Sequence, residues 1–244
     1  MKKYLIFLYA VLGYILSIGS LSFLILWIYP WEFIKFTINN PIITLDINPI
    51  FLNTSLLLLF ALQHSIMARS FFKDKLLKNI SNGVKSANYS LASSICLIIM
   101  FYFWQPIEGV LWDFQSDVVF WSITIVYIVG WITAFLATFI IHHFELFGLY
   151  QGYRVLRNIP EPEVKFQVNY FYKYVRHPIQ SGTLVGLWAT PYMSHTHLFL
   201  SMGMTIYVLI GLHYEEKSLI NTFGDKYKKY IDTTPMLLPF ALRR

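Results

Sequence analysis

The sequence predicts an all-α integral membrane protein: four transmembrane helices followed by a C-terminal helical hairpin, with both termini in the cytoplasm. Three observations lead there. The 244 residues are 56% hydrophobic and only 13% charged, about half the ~25% charge of a typical soluble domain, and the mean hydropathy is +0.52. Long uncharged apolar runs recur along the chain, and basic residues gather in alternate intervening segments. Apolar sequence runs nearly throughout, so residues 1–244 read as one membrane domain.

The first run, Tyr4 to Tyr29, exceeds the ~20 residues that cross a bilayer and is too long for the apolar core of a signal peptide. Pro49 to Ala68, Ala87 to Trp104 and Val118 to Ile141 supply the second, third and fourth spans. Trp27, Trp31, Trp104, Trp112 and Trp121 fall near span ends, where an indole suits the headgroup region. After Gln180 the chain is apolar again to Tyr214, but Thr190, Pro191 and Ser194 to His197 break the run. A hairpin with arms Ser181 to Ala189 and Leu198 to Tyr214 fits this better than one bent helix. Between spans and hairpin, His142 to Gln180 is the least apolar stretch and reads as a cytoplasmic cap or lid. Beyond the hairpin, Lys217 to Tyr230 sets Phe223, Tyr227 and Tyr230 near helical spacing beside lysines, as a helix in the membrane interface would, with a break at Gly224 and Asp225.

Charge supports the hairpin. Lysine and arginine beside membrane helices accumulate in the cytoplasm. With Lys2 and Lys3 inside, so are Arg69, Lys73, Lys75, Lys78 and Lys85, then Arg154, Arg157, Lys165, Lys173 and Arg176, then Lys217, Lys226, Lys228, Lys229, Arg243 and Arg244. Of 19 basic residues only Lys35 is left outside, and this needs an even number of crossings. Topology and anionic lipid account for the net charge of +6, so nucleic-acid binding is not called for.

Ionisable side chains near membrane depth cost about 2.5–3.5 kcal/mol on insertion scales, so their clustering is informative. Gln63, His64 and Arg69 end the second span; His142, His143 and Glu145 end the fourth; Arg176 and His177 open the hairpin; His213, Glu215 and Glu216 close it. Antiparallel arms bring the Arg176-His177-Pro178 entry beside the Glu215-Glu216 exit. Pro178 suits the first helical position, where free N–H groups and the guanidinium of Arg176 favour an anion. Two glutamates at a helix carboxyl end favour a cation. S-adenosylmethionine carries both charges, although such residues also serve as ordinary membrane anchors and spacing does not choose between these roles.

Among the seven histidines, His64 and His143 are candidate bases. His142 and His143 should point about 100° apart on a helix, away from a common pocket. Arg69 could pair with Glu145 or help hold a ligand. The single cysteine, Cys96, excludes an internal disulfide framework and a cysteine-built metal site, and no metal ligands are assigned. A histidine-held haem or metal is the competing class, and a non-catalytic scaffold a third.

Tyr174-Val175-Arg176-His177-Pro178-Ile179-Gln180-Ser181-Gly182, then Glu215-Glu216, then Phe223-Gly224-Asp225-Lys226-Tyr227 with Tyr230 and Pro239, resembles the isoprenylcysteine carboxyl methyltransferase superfamily of integral-membrane enzymes. Phe60-Ala61-Leu62-Gln63-His64-Ser65-Ile66-Met67-Ala68-Arg69, His143 to Leu149, and Trp188 to Met193 look like its methanethiol S-methyltransferase branch. The resemblance implies S-adenosylmethionine bound within residues 174–230 by Tyr174, Arg176, His177, Gln180, Glu215 and Glu216; Gln180 stands where the family often has tyrosine. It also implies methylation of a small volatile thiol, with a lipidic acceptor such as a prenylcysteine carboxylate or phospholipid amine as the alternative. The expected location is a bacterial inner membrane, with the site facing the cytoplasm.

Overall fold

The computed structural model describes residues 1–69, 72, 77–78, 80–163 and 165–240. Lys73, Lys75, Arg243 and Arg244, assigned above to the inner side, lie outside the described residues. The chain is mostly helical. Five helices are long and apolar enough to cross a membrane: α1 (Lys2–Ile28), α2 (Pro49–Ala68), α3 (Asn82–Phe103), α4 (Asp117–Ile140) and α8 (His195–Phe223). Shorter elements are α5 (His143–Leu146), α6 (Leu149–Arg157), a 3-10 turn over Tyr170–Lys173, α7 (Pro178–Trp188), α9 (Asp225–Thr233) and the paired strands β1 (Val110–Asp113) and β2 (Tyr192–Ser194). They divide into two compact units.

The first unit comprises Met1–Trp112, His142–Glu161 and Tyr192–Leu200. In it α1 packs along α3, α6 lies against both, and α2 lies against α3. Small residues permit this: a Cβ on Gly13 would meet the Ala87 carbonyl at 3.2 Å. Hydroxyls stitch the contact where lipid offers no hydrogen bonds, with Ser17 Oγ donating to Ser90 O at 3.2 Å and standing 3.1 Å from Ser94 Oγ. Asn48 caps α2 by accepting from Phe51 N at 3.1 Å, with Pro49 at the first helical position. Trp27 and Trp104, expected among headgroups, are buried against Phe101 and each other instead. Trp121 is exposed.

The second unit comprises Asp113–Ile141, Pro162–Pro191 and Ser201–Arg244. Here α4 and α7 pack backbone to backbone: a Cβ on Gly182 would fall 2.4 Å from the Gly130 carbonyl and 2.6 Å from Ala134 N. His177 precedes α7 and Pro178 opens it, as read from sequence. α7 and α8 touch through Ser201 Oγ donating to Leu187 O at 2.9 Å and Trp188 Nε1 donating to Thr205 Oγ1 at 3.0 Å. At about 1.5 Å per residue, the 11 residues of α7 reach only ~16 Å, too short to cross alone. α8 continues past Tyr214 to Phe223, and Gly224 at φ +58° separates it from α9, the break expected there.

Candidate functional site

The entry to α7 and the last turns of α8 meet in the second unit. Arg176 Nε donates to Glu216 Oε1 at 2.6 Å, and His177 Nε2 lies 3.1 Å from the same oxygen. His177 Nδ1 is 3.9 Å from Glu215 Oε1, so the imidazole stands between two carboxylates. The side chains of Arg176, His177 and Glu216 are 8%, 4% and 14% exposed, whereas that of Glu215 is 48% exposed. Four residues from two stretches, distant in sequence, thus form one polar cluster with a buried ion pair and one open carboxylate.

The segment after α9 holds that cluster from behind. Arg176 Nη1 donates to the carbonyls of Thr234 and, at 3.3 Å, Ile231. The backbone N–H groups of Arg176 and His177 donate to Pro235 O at 2.9 Å and Met236 O at 3.1 Å. Ser181 Oγ donates to Leu237 O at 2.7 Å and to His177 O at 2.9 Å. These donors precede or open α7, where a helix leaves N–H groups unpaired, and the carbonyls of the chain's tail take several of them.

Aromatic rings complete the cluster. Tyr227 and Tyr230 stand edge to face at 5.8 Å, and Phe166 lies 6.0 and 5.6 Å from them. Tyr230 Oη donates to Tyr172 O. Burial pushes the Tyr230 phenol up to about 12, with Arg176 opposing and Glu216 adding; burial and the Glu215 charge also raise Tyr172. Both phenols keep their protons at physiological pH. Tyr227 and Tyr230, expected to face the membrane interface, are 3% and 8% exposed. Tyr174 is exposed beside the 3-10 turn, and Gln180 is half-buried on α7.

The two candidate bases lie in the first unit with separate partners. His64 on α2 stands 2.6 Å from Tyr89 Oη through Nε2 and 3.1 Å from Ser93 Oγ through Nδ1, stacked on Phe60. His143 is 3% exposed, its Nε2 3.0 Å from Tyr14 Oη. Burial lowers the His143 imidazole below its ordinary value. His142 is exposed and does not share a helix with His143: it stands at a left-handed turn (φ 78°) between α4 and α5, and that turn points the two neighbours apart. Glu145 binds Arg154 with both oxygens, at 2.8 and 2.9 Å. Among the described residues, no three His, Cys, Asp or Glu side chains stand together as a metal site.

The family model described as NnrU protein matches residues 53–235. The chain belongs to the NnrU protein family. This NnrU-family chain is 34% identical over 246 residues to "Methanethiol S-methyltransferase" of Mycobacterium tuberculosis, covering 100% of this chain and 99% of the relative. It is 43% identical over 189 residues to "Methanethiol S-methyltransferase" of Pseudomonas deceptionensis, covering 78% and 72%. "Methanethiol S-methyltransferase 1" of Bradyrhizobium diazoefficiens is 34% identical over 238 residues, covering 98% and 83%. No solved structure matches. The resemblance read from the motifs is borne out. Residue patterns did not single out the NnrU-family chain's tail carbonyls, because any residue supplies a carbonyl, nor Tyr89, Ser93 and Tyr14. The spacing of Tyr227 and Tyr230 was visible, but not the direction in which that face turns.

Proposed function

We propose that the protein transfers a methyl group from S-adenosylmethionine to a small thiol, converting methanethiol to dimethyl sulfide. The observation carrying this reading is the convergence of Arg176 and His177 with Glu215 and Glu216, in a chain whose 34–43% identical relatives bear the methanethiol S-methyltransferase name. The cluster fits such a donor. Glu215, half-exposed, can accept from an ammonium or amine and attract a sulfonium. Arg176 uses Nε and Nη1 within the protein, leaving Nη2 to face a carboxylate. Tyr174 and Gln180 flank this group.

When bound, S-adenosylmethionine supplies a sulfonium methyl to a thiolate, the new carbon–sulfur bond forming in line as the old one breaks onto the departing sulfur. The protein's own part is to hold donor and thiol in line, exclude water and take the thiol proton. His64 and His143 are the residues proposed to take it, each oriented by a tyrosine hydroxyl. The same reading treats residues 1–244 as one methyltransferase domain with its donor region at 174–230. It makes α7 and α8 a hairpin open to the cytoplasm in a bacterial inner membrane, with both termini inside and only Lys35 among the basic residues outside. The α7–α8 hydrogen bonds support the hairpin.

Purified protein given methanethiol and methyl-labelled S-adenosylmethionine is expected to release labelled dimethyl sulfide, measured by gas chromatography. Label found instead in a prenylated cysteine ester or phospholipid, with none in dimethyl sulfide, would overturn the acceptor assignment.

A further inference from the structure

Tyr227 on α9 is 3% exposed, and its hydroxyl oxygen is buried with no hydrogen-bond partner among the described residues. An orphaned buried hydroxyl costs about 1–3 kcal/mol and so calls for a cause. The other orphan among the described residues of the second unit, Trp131 Nε1, is an indole wedged beside Gly186 where α4 meets α7, and packing explains it. Packing alone does not explain Tyr227. Its neighbour Tyr230, on the same face of α9, has its hydroxyl taken by Tyr172 O. The phenol of Tyr227 is close enough to Glu216, Arg176 and Glu215 for their charges to act on it, and burial with Glu216 holds it above the usual range, so it keeps its proton. It is therefore a donor without an acceptor, beside the cluster to which the methyl donor was assigned.

We propose that Tyr227 is a methyl-donor-binding residue: its hydroxyl donates to an acceptor atom of the bound donor, which supplies the partner missing from the protein. This rests on the reading of residues 174–230 as the donor region. The hydroxyl is buried, so a neighbouring group gives way to admit that atom, and we assign this to Phe166, whose ring stands edge-on to both Tyr227 and Tyr230. Phe166 belongs to residues 165–169, which form neither helix nor strand, so no regular hydrogen-bond ladder has to break.

The test is a pair of variants, Tyr227→Phe and Tyr230→Phe, in the full-length protein, read by thermal unfolding and by titration calorimetry with S-adenosylmethionine. Removing an unpaired buried hydroxyl leaves the ligand-free melting temperature unchanged or raises it. Removing the paired one in Y230F lowers it. In Y227F, donor affinity falls about tenfold, the loss expected for one hydrogen bond. Y227F protein that binds the donor as tightly as the unaltered chain overturns this assignment alone. Failure of the unaltered chain to bind it at all removes the donor reading beneath it.

Discussion

Arg176 and Glu216 make the strongest claim on stability in the second unit, and they can be tested as a pair. Their contact is 2.6 Å between side chains 8% and 14% exposed. Replacing Arg176 by Met leaves the Glu216 carboxylate buried with His177 as its neighbour, and replacing Glu216 by Met leaves the guanidinium on two carbonyls. Removing one partner of a buried pair costs about 3–5 kcal/mol. The carbonyls soften the loss for E216M, so ~3 kcal/mol is expected there, which in a chain of this size lowers the melting temperature by about 6–12 °C. R176M, with less compensation, belongs at the upper end of the range. The double variant R176M/E216M buries two apolar side chains of similar length with no stranded charge, and should be no less stable than either single variant. The assay is a double-mutant cycle by thermal unfolding of the purified protein in detergent, with donor binding measured alongside. Additivity of the two single losses to within about 0.5 kcal/mol would mean that the groups are uncoupled, and the buried-pair reasoning would then be wrong.

Other consequences can be checked in the same preparations. Gly182→Ala sets a Cβ 2.4 Å from a backbone carbonyl and should destabilise the protein by about 1–3 kcal/mol, whereas Gly211→Ala, with open space around it, should be neutral or slightly stabilising in the same melts. His64→Ala should lower turnover about 100-fold or more, the scale of a general base, with little change in donor affinity; unchanged turnover with methanethiol removes that assignment, and His143→Ala gives the same decision for the other candidate. Burial lowers the folded-state pKa of His143 below the ordinary value of about 6.5. The unfolded chain then binds the extra proton first, so stability is full above that value and is lost as the pH falls from it toward the lowered one. His143→Gln should flatten that part of the stability–pH curve, and an unchanged curve would exclude this residue as its source.

Much of the fold was legible because lipid imposes a simple rule on sequence: backbone groups must be satisfied internally, so spans appear as long uncharged helices. Pro49–Ala68 was read with the ends it has in the structure, and the other spans within a few residues, except that α3 and α8 begin or end in polar turns that hydropathy does not mark. The Arg-His-Pro entry was visible as charge at a helix start; Glu215 and Glu216, read as the end of a helix, lie about two turns inside α8, which continues to Phe223 because the polar residues after Tyr214 extend the helix beyond the apolar run. Trp27 and Trp104 were misplaced since indoles near a span end serve equally well in a packed core, and hydropathy does not distinguish the two.

By itself, then, the sequence determined that this is a helical membrane protein, where the chain enters and leaves apolar surroundings, and which motif joins residues 174–182 to 215–216; each follows from local composition, spacing or likeness. Only the tertiary structure decided that Glu216 answers Arg176 directly, that Glu215 stays half open, and that the carbonyls of residues 234–237 close over the start of α7. Only it turned Tyr227 inward with no partner for its hydroxyl. Those outcomes depend on which faces of α4, α7, α8 and α9 meet, and that is set by close packing such as Gly182 against α4 and by the turn at Gly224, where a single ångström or a single φ angle chooses the neighbour.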